Sequence, residues 1–276
     1  MTPLPLPFFC PIAGHATVVE LPAAIASLRD APPPAGAPSL PARFLRHADE
    51  HTVLGVRAVQ KAIAILGRAP GAFDRWAVVA APCGAGRPAS ARTLVQLLEG
   101  GGVTVSPHVV PQCSLHALAS AVSVGLGMHG PNIGIGGGPD ALAEGILAAF
   151  SILEEPAVAG CWLVFTAWDE EPVLSPRGEL PPDTPCRAVA LGLDPVDCSG
   201  LRMSLWPTAA SGKAAGFSPA ERDSSLAAFS RRLAGMESAS EPDRAGVRWS
   251  LPLSWGGLLT LEQGVAAALH AGRRSA

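Results

Sequence analysis

Acyl- and phosphoryl-transfer sites are often built where a strand enters a helix through a tight turn. Backbone N–H groups and the helix dipole there stabilise negative charge. The segment HGPNIGIGGGPDALAEGILAAF, residues 129–150, has that form: a short apolar strand, the turn Gly136-Gly137-Gly138-Pro139, and an apolar helix. The turn offers no hydroxyl, thiol or imidazole. Pro139 can neither attack a substrate nor donate an N–H, and it suits a first helical turn, where that N–H has no partner anyway. Asp140 follows it, in a position where an acid ordinarily complements the helix dipole rather than serving as a base.

The other reactive residues give equally thin support. Of seven histidines (His15, His47, His51, His108, His116, His129 and His270), only His270 follows His129. His116 falls in an apolar stretch and reads as a hydrogen-bonded core histidine, with general-base duty as the alternative. A dinucleotide fingerprint needs G-x-G-x-x-G, but from Gly134 and Gly136 the third glycine falls on Pro139, and from Gly136 and Gly138 on Ala141. Acids do end the next strand (Asp169, Glu170, Glu171), so a nucleotide-binding α/β domain stays as the weaker alternative. The six cysteines (Cys10, Cys83, Cys113, Cys161, Cys186 and Cys198) contain no CxxC pair, which argues against a metal site. Several of them sit in apolar surroundings, which suits buried free thiols in a reducing cytoplasm.

These groups need a frame. A strand-like N-terminal segment and the connector APPPAGAPSLPA (31–42) precede a helix from His51 to Leu66. Its apolar positions Val53, Leu54, Val56, Val59, Ile63 and Leu66 recur at helical spacing, and Gly67 is its C-terminal cap. WAVVAA (76–81) is a strand buried on both faces, and a helix from Pro88 to Glu99 ends at Gly100-Gly101-Gly102. VTVSPHVVP (103–111) reads as an extended loop because of its prolines. CSLHALASAVSVGLG (113–127) reads as a buried helix. The strand Asn132–Gly136 and the helix Pro139–Glu154 follow. CWLVFTAW (161–168) and CRAVALGL (186–193) are further strands, with LRMSLW (201–206) as a hairpin partner. Ser218-Pro219-Ala220-Glu221 is a capping box opening a helix to about Leu233, and Thr260 and Gln263 would cap a last helix through His270. This alternation specifies an α/β fold: one mixed sheet with buried and flanking helices.

Composition narrows the function. The 276 residues are 48% hydrophobic and 16% charged, and mean hydropathy is +0.30, a profile that suits a constitutive protein interface. Net charge is −3 and Lys61 and Lys213 are the only lysines, which argues against nucleic-acid binding. No apolar run reaches the roughly 18 residues of a membrane span, and MTPLPLPFFCPIAGH lacks the basic start of a signal peptide.

The stretches AFDRWAVVAAPCGAG and LLEGGGVTVSPHVVPQCSLHALASAVSVGLGMHGPNIGIGGG resemble the N-terminal half of β-ketoacyl synthases, condensing enzymes of the thiolase superfamily. The motifs are the strand and loop from Val78 to Gly86, Ser106-Pro107-x-x-Val110-Pro111, and Gly127-x-x-Gly130-Pro131-Asn132. The resemblance spans 43–206, leaving 1–42 as the N-terminal strand and connector and 207–276 as an extension packed on the same domain. It is closest to short ketosynthase-like proteins associated with aryl-polyene and fatty-acid-like synthases. It implies a thiolase-like fold with the family's nucleophilic cysteine position at Pro139. The family's two downstream histidines have no counterparts.

A chain so altered would not run the condensation alone. The resemblance implies instead a chain-length-factor-type subunit, without catalytic residues, cofactor or metal. It would pair with an active ketosynthase and meet the acyl carrier protein through that complex. Val109, Val110, Gln112, Cys113 and His116 would line the partner's tunnel or interface, and Cys83 and Gly84 its rim. The alternative is an acyl-thioester-processing enzyme with Asp140 or His116 as base.

Overall fold

Uninterrupted apolar runs mark strands covered on both faces, and WAVVAAP is buried at every residue. It is one strand of an eight-stranded mixed sheet in the computed structural model, which describes residues 8–197, 200–206, 223–238 and 248–263. The strands are Phe8–Glu20 (β1), Trp76–Pro82 (β2), Asn132–Gly134 (β3), Gly160–Trp168 (β4), Cys186–Leu193 (β5), Leu201–Trp206 (β6), Arg248–Pro252 (β7) and Leu258–Gln263 (β8). They lie in the order β3-β2-β4-β5-β1-β6-β8-β7. β3, β2 and β4 run parallel, and the remaining neighbours pair antiparallel.

The helices are Pro22–Leu28 (α1), Glu50–Leu66 (α2), Arg87–Gly100 (α3), Val109–Gln112 (α4), Ala117–Leu126 (α5), Ala141–Leu153 (α6) and Leu226–Ser238 (α7). Side chains alternate across each strand. Ala77, Val79, Ala81, Leu163, Phe165, Val189 and Leu191 form one core with α6 and α7. Trp76, Val78, Ala80, Trp162, Val164, Ala188 and Ala190 form a second with α2 and α5. The result is a three-layer α/β/α fold. Among the described residues no helix is long and apolar enough to cross a membrane.

The buried polar residues of α2 hold the Pro/Ala connector. Arg57 donates from Nε and Nη2 to Leu28 O (3.1 and 2.5 Å) and from Nη2 to Ala31 O (2.6 Å), while Gln60 Nε2 donates to Pro38 O at 2.8 Å.

The structure corrects several expectations. Residues 103–111 are not extended throughout: a 3-10 turn forms at Gly102–Thr104 and α4 begins at Val109. Pro111 is tolerated there as the third residue of a helix, whose N–H would lack an intrahelical partner. The strand after Pro131 stops at Gly134, because Gly136 and Gly137 take φ of +89° and +100° and turn the chain. β6 is not the hairpin partner of β5, whose two edges are taken by β4 and β1; it pairs with β1 and β8.

α7 starts at Leu226, capped by Ser225 Oγ, which accepts from Ala228 N–H at 3.2 Å. The box at Ser218–Glu221 and His270 lie outside the described residues. Thr260 and Gln263 belong to β8, where Leu259 and Leu261 recur at the strand period and enter the core; the helix expected through His270 lies outside the described residues.

Candidate functional site

The glycine turn stands at the C-terminal ends of β2, β3 and β4. Gly137 forms a parallel bridge with Cys83, and Gly84 N–H donates to Gly137 O at 3.2 Å. Cys83 N–H donates to Thr166 O at 2.7 Å, which ties the turn to β4 as well. Pro139 and Asp140 are exposed ahead of α6, and the Asp140 side chain makes no capping hydrogen bond. Pro139 and Cys83 line a cavity of about 360 Å³ with Ala81, Leu142, Phe165 and Ser225.

That cavity holds no ready thiolate. Burial pushes the Cys83 thiol up, Glu171 adds to this, and Arg87 offsets only part. Cys10 is pushed up to about 12 by burial and then by Asp194 and Asp197. Burial also raises Cys161 and Cys186. Nucleophilic chemistry needs the opposite arrangement, an exposed thiol beside positive charge.

The segment 106–116 divides its residues among different surroundings. Cys113 packs on the Cys83–Gly86 loop: a Cβ added at Gly86 would meet its Cα at 2.8 Å. Gln112 and His116 line a second cavity of about 360 Å³, with Phe44, His47, Ala121 and Val124. Val109 is half-buried and Val110 is 74% exposed, and neither lines either cavity. His116 is not a core histidine. α5 begins only at Ala117, which leaves His116 at the exposed N-cap position rather than inside a buried helix. Asp140 and His116, the two bases considered for thioester chemistry, do not share a cavity. Leu115, Val124, Ile133 and Leu147 are further exposed apolar residues, Ile133 lying on the edge strand β3 itself.

Sequence reasoning missed the N-terminal end of α2. Asp49 Oδ1 accepts from Thr52 N–H at 2.8 Å, and its Oδ2 accepts from Gly86 N–H at 3.1 Å, so one carboxylate caps the helix and fixes the Cys83–Gly86 loop. An acid immediately before a helical run is a standard cap signal; the link to Gly86 is not readable from it. His51 is fully buried, with Nδ1 2.9 Å from Thr166 Oγ1 and its ring edge-on to Trp168. Asp169 is held by both arms of Arg187 (2.8 and 2.7 Å) and Glu171 pairs with Arg87, so these strand-end acids are engaged with arginines.

Burial lowers the His51 pKa, and Asp49, Glu50 and Glu171 only partly counter this. The unfolded chain takes up a proton near pH 6.5, whereas folded His51 resists it. Stability is therefore full above about pH 6.5 and falls as pH drops below it. Urea midpoints should decline between pH 7.5 and 5.5, and less steeply in His51→Leu. Parallel profiles for the two proteins would remove His51 from this account.

No protein-family model matches the sequence, and no curated protein matches it. Among solved structures, the ishigamide ketosynthase/chain length factor is similar over 92% of this chain and 98% of that one, with TM-score 0.54 and 13% identity. A ketosynthase in complex with its chain length factor from Xenorhabdus doucetiae is similar over 72% of this chain and 83% of that one (TM-score 0.47, 14% identity). A β-ketoacyl synthase from Burkholderia phymatum is similar over 69% of this chain (TM-score 0.46, 17% identity), and the match spans 59% of that synthase.

Proposed function

We propose that this chain, whose thiolase-like α/β fold is that of the ketosynthases, is a non-catalytic subunit of the chain-length-factor type. It pairs with an active ketosynthase and shapes the tunnel that holds the growing acyl or polyene chain. The observation that carries this reading is Pro139 at the head of α6, in the cavity where the resemblance places a nucleophilic cysteine. The raised pKa of neighbouring Cys83 supports it, since that thiol does not substitute for the missing one. Exposed Ile133 on the short edge strand β3, with Val110, Leu115, Val124 and Leu147, supports a pairing surface that needs a second protein to cover it.

In this role the subunit acts by shape. Apolar walls favour a growing chain by about 0.8 kcal/mol per buried CH₂, a small and uniform gain, so discrimination comes from a closed end that the next unit overlaps. Gln112, Cys113 and His116 are the proposed wall, with Cys83 and Gly84 at the rim, and Val109 and Val110 toward the partner. The acyl carrier protein would deliver its chain to the complex, in the cytoplasm.

Co-expression with a candidate ketosynthase, followed by size exclusion, should give a heterodimer. Val110→Asp should weaken it about tenfold or more, as expected for a charge placed in an apolar contact. A well-behaved monomer that ignores every ketosynthase offered would overturn the proposal. Product chain lengths should change between Val109→Phe and Val109→Gly; identical products would exclude this segment from the tunnel.

A further inference from the structure

We propose a phosphate-binding site on the face of the molecule formed by the connector. A cavity of about 270 Å³ lies between the end of α1, the Pro/Ala-rich connector and α2, and Arg29, Asp30, Ser39, Arg43 and Arg57 line it. Arg57 is 6% exposed, and no carboxylate lies within 4 Å of its guanidinium among the described residues. A buried charge normally has an opposite partner. The acceptors here are neutral: Leu28 O, Ala31 O and Gln60 Oε1. Those four bonds leave one of the five guanidinium N–H donors for a ligand.

Arg43 is the second observation. It is the one described non-glycine residue in the left-handed region, with φ of +60°, a conformation disfavoured for a side chain with Cβ. Backbone bonds close the turn around it, Phe44 N–H donating to Pro41 O and Arg46 N–H to Arg43 O, both at 3.1 Å, while its guanidinium makes no hydrogen bond or ion pair among the described residues. Asp30 opposes the three guanidiniums, and Glu50 lies 3.7 Å from Arg29, so positive charge remains in excess. Arg29, whose Nη2 also donates to Ala48 O at 3.0 Å, lines the cavity with Ser39, Arg43 and Arg57 from separate segments. That spread suits a tetrahedral oxyanion better than a carboxylate, which one arginine fork satisfies.

The site is independent of the pairing proposal and is tested without a partner. Thermal midpoints of the full chain are followed against inorganic phosphate and against glycerol 3-phosphate, with chloride at matched ionic strength as control. At least one phosphate should give a saturable rise that chloride does not reproduce. The stronger of the two identifies free phosphate or a phosphate ester as the natural source. Arg43→Gly relieves the strained backbone, so its ligand-free midpoint should match or exceed the parent's while its phosphate affinity falls about tenfold or more. Arg29→Gln should show the same loss. A rise equalled by chloride, no rise with either phosphate, or an undiminished rise in both variants overturns the proposal.

Discussion

Replacing Phe165 by alanine lowers the unfolding free energy by about 3–5 kcal/mol, enough to unfold much of a protein of ordinary stability. Phe165 is 1% exposed on the α6–α7 face of β4. Its ring meets Phe229 of α7 edge-on at 5.9 Å, and Phe229 lies 6.0 Å from Trp249 of β7. This row of aromatic rings carries the core from the sheet into the C-terminal elements. Phe165 also lines the cavity beside Pro139, so truncation would merge new empty volume with that chamber instead of letting the core close. Urea unfolding followed by circular dichroism measures the loss, and Phe165→Leu, which keeps most of the volume, should recover more than half of it. A Phe165→Ala protein within about 1 kcal/mol of the parent would show that the aromatic row does not hold α7.

Gly134→Ala is expected to lower stability and, under the proposed function, to disable pairing with a ketosynthase. A Cβ at Gly134 would lie 2.2 Å from Leu115 O and 2.4 Å from Leu115 C, both backbone atoms that cannot rotate aside. β3 and the start of α5 must separate, at a cost of roughly 1–3 kcal/mol for an overpacked contact. Leu115, which covers Gly137 of the turn, is then displaced, and the apolar surface around β3 changes shape. Gly138→Ala, a few residues away in the same turn, meets nothing within 4 Å and should be nearly silent. Equal unfolding midpoints for the two variants would refute the steric argument. Equal recovery of ketosynthase complex would place the interface away from β3.

The elements that were legible share one property: their pattern is complete within a dozen residues. α2 declared itself through Val53, Val56, Val59 and Ile63 and through Gly67, which takes φ of +61° at its C-cap. β2, β4 and β5 were legible as unbroken apolar runs, and they are buried nearly throughout. That the turn Gly136–Pro139 carries no nucleophile was legible because neither glycine nor proline has a side chain that can attack a substrate in any fold. The misreadings arose where a local pattern suited two structures. Thr260 and Gln263 have the spacing of a cap, yet the leucines between and before them also fit a strand, and the open edges of β6 and β7 decided the matter. His116 shares an apolar stretch with a helix that starts one residue too late to bury it.

By itself the sequence determined the kinds of element, the α/β class and the absence of a nucleophilic side chain from the turn Gly136–Pro139, since each follows from periodicity or from the chemistry of single residues. Tertiary structure alone decided that β1 lies between β5 and β6, and that Cys83 and Pro139 share one cavity while Gln112 and His116 share another. It also decided that Asp49 reaches across 37 positions to Gly86, and that Arg57 is buried without a carboxylate. Such pairings join segments whose separation along the chain carries no signal. They are selected by closure of the whole core, where the burial of many side chains at once sets the partner of each.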